Sequence, residues 1–356
     1  MSSEVPQPDN RACSAGSSGC TRPLVSVCIP TFNAAAWIVD CIGSALAQSY
    51  QNLEVLIVDD ASTDETVKLI RAIHDPRIRL EINPQNIGLA PNWNRCIELS
   101  RGNFIKFLFH DDMLYPDCVE KMMQLILSNE HIGLVFSPRD IILGDAPQDE
   151  LTRIWLKNCT TLHTRFRQLK QVNHGKDLFA QYLREGFRGN WIGEPSSVLV
   201  RKVCFSSLGM FDPKLRQVCD GEMWLRIMFC YDIGILPEKH SAFRLHRDST
   251  SRRNLTSKKN FLDQLWLVES LSNCPSIKAE YPEIEGVRAI ELLRLVKAVL
   301  LSPIAIGRCV RKDPVARQGL RNLPAWIGSA AAYSLSKLFS RRNSDRSSTA
   351  KRLNQA

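Results

Sequence analysis

Two adjacent carboxylates, Asp111 and Asp112, stand just beyond an apolar stretch of the chain that is typical of a buried strand. Hard divalent cations such as Mg²⁺ and Mn²⁺ take oxygen ligands and keep open positions for the oxygens of a phosphate. A second apolar stretch, 53–58, ends in another acidic pair, Asp59 and Asp60. Because ligands bind beyond the carboxyl ends of strands in open α/β sheets, the two pairs predict one acidic cleft.

The elements that must position these carboxylates are short β-branched runs alternating with helical patterns, from Pro23 to about Asp140. This alternation is typical of a mainly parallel sheet with crossover helices. Strands are predicted over Leu24–Ile29, which Pro30 ends, and over Leu53–Val58, Ile78–Ile82 and Phe104–Phe109. Helices are predicted over Ala34–Gln48, from a cap at Ser62 or Thr63 to Ile73, and over Asn92–Ser100.

The carboxyl ends of these strands should bring polar side chains into one crevice. The expected set is Thr31, Asn33, Asp59, Asp60, Asp111 and Asp112. The sequence has neither a Gly-x-Gly-x-x-Gly turn after the first strand nor a Gly-x-x-x-x-Gly-Lys loop. Carboxylates and a metal ion are therefore expected to take the place of a glycine-rich phosphate loop.

The pattern is less regular in the following part of the chain. Residues 141–185 form a polar, basic stretch that resembles a variable insertion, and a regular pattern returns near Gly193. A helix is predicted to begin at Asp220, with this residue near the N-cap and its carboxylate free to point into the cleft. From Phe261 onward the pattern is mainly helical.

Composition places the positive charge of the chain at one end. The 356 residues are 44% hydrophobic, which supports one large or two modest globular domains. The net charge of +9 belongs to residues 301–356, which hold eleven Lys/Arg against two Asp, while the other residues balance at 35 to 35. A neutral body with a basic tail argues against a nucleic-acid partner and favours peripheral contact with an anionic membrane.

The cysteines and the first residues indicate the compartment. Twelve cysteines are scattered without zinc or Cys-x-x-Cys spacing, which favours a reducing cytoplasm. Residues 1–22 are polar and lack the apolar core of a signal peptide, so a disordered leader is expected. No uninterrupted apolar run reaches the ~18 residues that suggest a membrane span. The expected location is cytoplasmic, with peripheral attachment to the inner face of the plasma membrane as a further option.

Five motifs, taken together and in order, resemble the family 2 glycosyltransferases, which have the GT-A fold. They lie between Pro23 and Ser251, roughly two thirds of the chain, and are Val27–Asn33, Val58–Asp64, Asn86–Leu89, Phe109–Asp112 and Asp220–Arg226. The resemblance implies an inverting enzyme that moves a sugar from a nucleotide-diphosphate donor to an acceptor hydroxyl. It also implies a Rossmann-like, mixed and mainly parallel sheet flanked by helices, here with a C-terminal helical extension.

The resemblance assigns metal binding to the pair Asp111 and Asp112. Many relatives carry Asp-x-Asp-Asp at this motif, whereas this chain has Phe109 in place of the leading carboxylate. Asp112 is therefore expected to hold Mg²⁺ or Mn²⁺ on the donor diphosphate, with Asp111 beside it. A simpler interpretation of the pair is a solvated cap for the next helix.

The same resemblance assigns the donor pocket and the catalytic base. Asp60 is expected to recognise a uracil or thymine ring, with Asp59, Thr31 and Asn33 in the same pocket, and His246 belongs to a loop that closes over the diphosphate. Asp220 is expected to be the general base, with Glu222 as the second choice. Trp191 and Glu194 are acceptor candidates.

Structural interpretations of these residues remain open. Asp59 and Asn33 could serve only as turn formers, since both side chains bond readily to nearby backbone groups. Asp220 could merely cap its helix, and His246 and Trp191 could be structural.

The expected organisation is a leader (1–22), a catalytic domain (23–255), a helical region (256–340) and a disordered basic tail (341–356). Within the catalytic domain, 23–140 would bind the donor and 141–255 the acceptor. The expected donor is a UDP-sugar, then a dTDP-sugar, and the expected acceptor is a glycan or a lipid-linked glycan of the cell surface. The alternatives are a nucleotidyltransferase and a catalytically silent scaffold that binds nucleotide or membrane.

Overall fold

The computed structural model describes residues 22–159, 162–250, 252–253 and 262–301, together with 314, 317–319, 321–324, 326 and 328. The predicted leader, except Arg22, and the predicted tail lie outside the described residues. The chain divides into two compact units between Arg253 and Asn254, close to the predicted boundary after residue 255.

The first unit is built from strands and helices that alternate over most of its length. Its strands are β1 (Val25–Thr31), β2 (Leu53–Asp59), β3 (Ile78–Ile82), β4 (Phe104–Phe107), β5 (Met113–Leu114), β6 (Ile132–Phe136), β7 (Asp140–Leu143), β8 (Val172–Asn173), β9 (Val198–Arg201), β10 (Asp232–Ile235) and β11 (Ser241–Leu245). Its helices are α1 (Ile38–Leu46), α2 (Thr66–Arg71), α3 (Leu89–Leu99), α4 (Cys118–Leu127), α5 (Glu150–Cys159), α6 (Gly175–Arg184), α7 (Lys202–Leu208) and α8 (Cys219–Cys230).

The large sheet has the strand order β3-β2-β1-β4-β9-β6-β10-β8. The pairs β1–β2, β1–β4, β2–β3 and β6–β10 are parallel. The pairs β4–β9, β6–β9 and β8–β10 are antiparallel. The predicted mixed, mainly parallel sheet is therefore confirmed, and the two strands that run opposite to the others are β9 and β8.

The central strands are apolar because helices cover both of their faces. All seven residues of β1 are buried, as are all seven of β2. Strands buried on both faces lose the alternation of polar and apolar residues that marks a half-exposed sheet. The core on one face joins β1 and β2 to side chains of α1 and α4, such as Ile42 and Met122. This packing fixes the carboxyl ends of β1, β2 and β4 beside one another.

A second, small sheet lies next to these strand ends, in the order β5-β11-β7. Strand β5 begins at Met113, directly after the acidic pair, and pairs antiparallel with β11. Strand β7 pairs with β11 in parallel. The small sheet therefore holds the turn that carries Asp111 and Asp112 against the strand that leads to His246.

Strand β1 is longer than predicted, because it continues through Pro30 to Thr31. Proline lacks a backbone N–H and normally interrupts a central strand. Here the pairing with β4 ends at Cys28 and Phe107, so Pro30 lies beyond that ladder. On the other side Pro30 stands opposite Val58 of β2. Strand β4 is correspondingly shorter than predicted.

The predicted cap of α2 is wrong. Helix α2 begins at Thr66, and Asp64 rather than Ser62 or Thr63 accepts the Thr66 backbone N–H, at 3.0 Å. The hydroxyl of Ser62 is used elsewhere, because it donates to Asp59 at 2.5 Å. A short polar side chain with a closer acceptor in its own loop does not serve as a helix cap.

Two other expectations differ from the structure. The stretch 141–185 contains regular elements, from β7 through α6, where the sequence pattern indicates only a loose insertion. Helix α8 begins at Cys219 with Val218 at its N-cap position, so Asp220 lies inside the first turn and does not cap the helix through its side chain.

The second unit contains α9 (Asp263–Ser272), α10 (Pro275–Glu280) and α11 (Ile284–Leu301). Trp266 of α9 packs edge-on against Trp326, with ring centroids 5.1 Å apart. Within the described part of the chain, no helix has both the length and the apolar character needed to cross a membrane.

Candidate active site

The acidic pair lies in the turn between β4 and β5. The backbone N–H of Asp112 donates to the carbonyl of Phe109 at 2.9 Å, which closes the turn. Asp112 is 1% exposed, and its Oδ1 accepts the backbone N–H of Arg244 at 2.9 Å. Its Oδ2 is buried and accepts no well-aligned hydrogen bond from the described residues. One oxygen of this carboxylate is thus held by β11, and the other is left for a ligand.

The charge state of Asp112 follows from its surroundings. Burial raises the pKa of its carboxyl well above the usual range, and the neighbouring charge of Asp111 raises it further. The nearby Ser196 hydroxyl and the Arg244 N–H lower the pKa of Asp112 without reversing the shift. A buried carboxylate in this condition is unfavourable unless a cation approaches it.

Asp111 differs from its neighbour because a histidine faces it. Asp111 Oδ2 lies 3.0 Å from His246 Nε2. Burial raises the pKa of the Asp111 carboxyl, but the charge of His110 and the hydrogen bond from His246 outweigh burial and hold the pKa below its usual range. Asp111 is therefore the ionised member of the pair.

Arg244 ties the acidic turn to β11 and to the loop before α1. Its Nε donates to the backbone carbonyl of Asp111 at 2.9 Å. Its guanidinium lies 4.4 Å from the ring centroid of Trp37, and the Trp37 and His246 rings are 5.9 Å apart. A cation over an indole face is held by the ring quadrupole. Arg244 thus places positive charge beside the acidic pair.

The pair fits a divalent metal ion. Carboxylate oxygens are the ligands that Mg²⁺ and Mn²⁺ prefer, and Asp112 Oδ2 is a buried oxygen without a well-aligned donor. Among the described residues, no three His, Cys, Asp or Glu side chains converge as a complete metal site. A cation held by one or two carboxylates takes its other ligands from substrate phosphate and water.

Asp60 organises the loop between β3 and α3. Its Oδ1 accepts from Asn83 Nδ2 at 2.9 Å and from the Ile87 N–H at 2.8 Å. Its Oδ2 accepts from the Gly88 N–H at 2.9 Å. Gly88 has a φ of 93°, a conformation that favours glycine. Asp60 is 3% exposed, so its first task is to fix this loop beside the carboxyl end of β2.

Asp59, Asn33 and Thr31 form local bonds at the ends of β1 and β2. Asp59 is fully buried and accepts both the N–H and the hydroxyl of Ser62, at 2.8 and 2.5 Å. Asn33 Oδ1 accepts the Thr63 N–H at 2.8 Å. The Thr31 hydroxyl donates to the Ile29 carbonyl at 3.1 Å. Asp59 thus makes the local turn contact that its structural interpretation describes, whereas Asn33 bonds to the loop after β2 and joins the two strand ends.

Asp220 lies in the first turn of α8 and is 8% exposed. Its Oδ1 accepts the Gly221 N–H at 2.7 Å, and its Oδ2 accepts from Asn190 Nδ2 at 2.9 Å. Burial raises the pKa of the Asp220 carboxyl to about 7, and the charge of Glu194 contributes to this rise. A carboxylate with this pKa is suited to accept a proton near neutral pH.

Glu194 links the two halves of the site electrostatically, because its charge raises the pKa of both Asp112 and Asp220. Its carboxylate is paired with the guanidinium of Arg139. Glu222, the second choice for the base, is 1% exposed and paired with Arg226 at 2.8 Å.

Trp191, an acceptor candidate in the sequence, lies in the core. It is 4% exposed and stacks on Tyr182 with ring centroids 4.4 Å apart. Its indole N–H donates to the Arg188 carbonyl at 2.8 Å. Trp191 therefore has the position of a core residue, as its structural interpretation describes.

Three residues of the site have little signal of their own in the sequence. Asn190 donates to Asp220, the Ser196 hydroxyl accepts the Phe109 N–H beside the acidic turn, and Asn83 donates to Asp60. Each acts across a sequence separation that no local pattern reveals. Arg244 is a fourth residue that the sequence analysis does not name. Unlike the other three it has a sequence signal, since it stands two residues before His246 in the segment that the resemblance singles out.

The chain is similar to known proteins in sequence. The model of glycosyl transferase family 2 matches residues 26–190. An uncharacterized protein of Mycobacterium tuberculosis, MT1568, is 32% identical over 251 residues, which are 69% of this chain and 76% of the relative. The chondroitin synthase of Pasteurella multocida is 38% identical over 117 residues, 32% of this chain but only 12% of the synthase.

Solved structures show the same fold. TarS 1-349 of S. aureus, in complex with UDP-GlcNAc, superposes with a TM-score of 0.56 at 15% identity, over 86% of this chain and 79% of that one. The mannosyltransferase PcManGT of Pyrobaculum calidifontis, in complex with GDP-Man and Mn²⁺, gives a TM-score of 0.50 at 16% identity, over 89% and 88% of the two chains.

A mixed sheet with acidic side chains at its strand ends, a matching family model and a related chain of similar extent define the class. The chain belongs to glycosyltransferase family 2 and has the GT-A fold. It is a glycosyltransferase, as the resemblance of its five motifs predicts.

Proposed function

We propose that the protein transfers a sugar from a UDP-sugar to an acceptor hydroxyl by metal-assisted direct displacement. The observation that carries the proposal is the contrast between two buried carboxylates. Asp112 presents an oxygen without a well-aligned donor beside the ionised Asp111, whereas Asp220, on which the Glu194 charge also acts, has a pKa of about 7. The first suits a cation, and the second suits a proton acceptor.

Asp112 Oδ2 and Asp111 are the proposed ligands of Mg²⁺ or Mn²⁺. Such an ion takes up negative charge on the departing diphosphate when it is bound. Arg244 places positive charge beside the pair, and the His246 ring, which lies against Asp111, could turn to a phosphate oxygen. PcManGT, a structural neighbour, was solved with GDP-Man and Mn²⁺, which supports a divalent metal here.

Asp220 is the proposed general base. The acceptor oxygen attacks the anomeric carbon, the bond from that carbon to the diphosphate oxygen breaks, and UDP leaves. The acceptor proton moves to Asp220. Each carboxylate oxygen of Asp220 accepts one hydrogen bond and keeps a lone pair for this proton. Displacement from the opposite face inverts the anomeric centre.

The loop that Asp60 fixes is the proposed uracil pocket, with Thr31, Asn33 and Asp59 shaping its floor. Among the described residues, Asp60 Oδ2 accepts one hydrogen bond, from the Gly88 N–H, so a lone pair remains for the N–H of a uracil ring. The complex of TarS with UDP-GlcNAc supports a uridine nucleotide, with dTDP next. The similarity to chondroitin synthase supports a hexosyl donor and a glycan acceptor, and a lipid-linked glycan of the cell surface is the other acceptor that we propose.

A thermal-shift panel tests the donor assignment. With Mn²⁺ present, UDP should raise the melting temperature most, dTDP less, and GDP and ADP least. A ligand at ~100 times its Kd stabilises the fold by about 2.7 kcal/mol, which is several degrees for a domain of this size. A panel in which no nucleotide changes the melting temperature would contradict the proposed donor site and exclude a scaffold that binds nucleotide.

We also propose a cytoplasmic protein whose basic C-terminal region binds the inner face of the plasma membrane. The twelve cysteines are scattered without the spacing of a disulfide framework or a zinc site, which supports a reducing compartment. The surplus of positive charge in residues 301–356 supports the membrane contact. Deletion of residues 310–356 should reduce sedimentation with anionic liposomes and leave binding to neutral liposomes unchanged. Equal sedimentation of both forms with anionic liposomes would overturn the membrane contact.

A further inference from the structure

Asn190 makes four hydrogen bonds that use the full capacity of its amide. Its Oδ1 accepts the N–H groups of Gly193 and Ile192, at 2.9 and 3.2 Å. Its Nδ2 donates to the Gly193 carbonyl at 2.8 Å and to Asp220 Oδ2 at 2.9 Å. A flipped amide would turn N–H groups toward two N–H donors, so the network fixes which atom faces Asp220.

The turn that contains Asn190 is anchored to the helix that carries Asp220. The indole N–H of Trp224 in α8 donates to the Gly193 carbonyl at 3.0 Å, and Trp224 is 1% exposed. Gly193 has a φ of 116°, which favours glycine at this corner of the turn. Asn190 and Asp220 are therefore held by the same rigid frame, and neither side chain can move without breaking bonds on both segments.

The hydrogen bond from Asn190 to Asp220 affects the pKa of the Asp220 carboxyl, as do the charges around it. The Glu194 charge raises the pKa of Asp220, and the buried Tyr182 phenol also feels the Asp220 charge. Against burial and Glu194, the Asn190 N–H and the Gly221 N–H favour the ionised carboxylate and lower its pKa. A donor on the charged form opposes the effect of burial.

We propose that Asn190 is a positioning residue that orients the Asp220 carboxylate toward the acceptor hydroxyl and keeps it ready to accept a proton. The inference rests on the proposed role of Asp220 as general base. Asn190 does not touch the reacting atoms, so it acts only through the carboxylate that it bonds.

The pH dependence of UDP release from UDP-GlcNAc with Mn²⁺ tests this role, with water as the acceptor. Asn190→Ala should lower the rate near pH 7 by about tenfold and move the acidic limb of the rate profile to higher pH by ~1 unit. Asn190→Asp keeps the acceptor for Gly193 but places a second carboxylate against Asp220. It should move the acidic limb further than Asn190→Ala does, because the charge of a second carboxylate in contact with Asp220 raises the pKa of Asp220.

The matched control is Asn94, which clamps another turn without touching a carboxylate. Its Nδ2 donates to the Phe211 carbonyl at 2.9 Å, and its Oδ1 accepts the Phe211 N–H at 3.0 Å. Asn94→Ala should lower stability as Asn190→Ala does but leave the position of the acidic limb unchanged. The affinity for UDP should stay within about twofold of the wild type in all variants, since the nucleotide pocket lies at the other strand ends.

Two results separate the inference from the proposed function. A wild type that releases no UDP would contradict the proposed sugar transfer, and an Asp220→Asn variant that keeps the acidic limb would overturn the role of Asp220. A wild-type profile that depends on Asp220, combined with Asn190→Ala and Asn190→Asp profiles that fall evenly at every pH, would overturn only the role of Asn190. If Asn190→Ala does not fold, the near-isosteric Asn190→Asp decides alone.

Discussion

The backbone N–H of Arg244 donates to Asp112 Oδ1 over 2.9 Å and joins β11 to the turn that carries the acidic pair. A side chain donor could leave when a cation arrives, but a backbone donor in a strand stays in place. The carboxylate of Asp112 is therefore oriented before any ligand binds, with Oδ2 as its available oxygen. Preorganisation of this kind lowers the free energy needed to order a metal site.

Asp112→Asn should remove the metal response. The amide cannot supply a second anionic oxygen, so Mn²⁺ should no longer raise the melting temperature in the presence of UDP. UDP release should fall at least ~100-fold, because charge on the departing diphosphate is no longer neutralised. The control is Asp177→Asn, which changes an exposed carboxylate on α6. A full Mn²⁺ response in Asp112→Asn would exclude Asp112 as a ligand.

Asp60→Asn should loosen the loop between β3 and α3, which we propose as the uracil pocket. The carboxylate accepts three N–H groups, from Asn83, Ile87 and Gly88, and an amide in its place turns a donor toward at least one of them. The free energy of unfolding should fall by about 2 kcal/mol, and the UDP-induced thermal shift should shrink. Asp40→Asn, at an exposed position on α1, should change neither quantity. An unaltered UDP response in Asp60→Asn would show that the loop does not form the base pocket.

Asp220→Asn should stabilise the protein at high pH. The folded-state pKa of about 7 lies above the ordinary value of 3.8, so the folded state loses stability as pH rises between these values. The difference corresponds to about 4 kcal/mol, and an amide forfeits one of two hydrogen bonds, about 1 kcal/mol. Urea unfolding should therefore show a gain of about 3 kcal/mol near ~pH 8 and no gain near ~pH 4. Equal effects at both pH values would contradict a raised pKa for Asp220.

Gly175→Ala should disturb the support of α8. A Cβ on Gly175, at the start of α6, would collide with the backbone carbonyl oxygens of Tyr231 and Met228. The backbone cannot yield easily, so the free energy of unfolding should fall by about 3 kcal/mol. Gly43→Ala is the control: none of the described residues lies within 4 Å of a Cβ there, and alanine in α1 should stabilise by about 0.5 kcal/mol. Similar melting temperatures for both variants would contradict the close packing of α6 on α8.

Residues 23–140, the proposed donor-binding half, can be predicted from sequence because their signals are local. Strand β3 occupies Ile78–Ile82, as its pattern indicates, and the buried runs of β1, β2 and β4 lie where their apolar residues place them. The residues of β9 are strand-like in the sequence. Its antiparallel pairing with β4 and β6 cannot be predicted locally, because it depends on distant partners. The elements within 141–185 are short and polar, so tertiary contacts rather than periodicity define them.

The residues of the candidate site also fall into two groups, those that motifs reveal and those that only tertiary contacts bring to the site. Asp60, Asp112 and Asp220 stand at positions that motifs reveal, and their burial follows from the strand ends and the helix that carry them. Their partners do not follow from any motif. Asn190 meets Asp220 across 30 residues, and Ser196 accepts the Phe109 N–H across 87. Such contacts depend on how loops fold back over the sheet, which the sequence pattern does not encode locally.

The most direct test of the central claim is UDP release from UDP-GlcNAc, UDP-glucose and UDP-galactose, measured with Mn²⁺ and with EDTA. A metal-dependent glycosyltransferase should release UDP from at least one donor with Mn²⁺. It should lose that activity in EDTA and in Asp112→Asn, while Asp177→Asn stays active. Release at the same rate in EDTA, or no release from any UDP-sugar by the wild-type protein, would contradict the account.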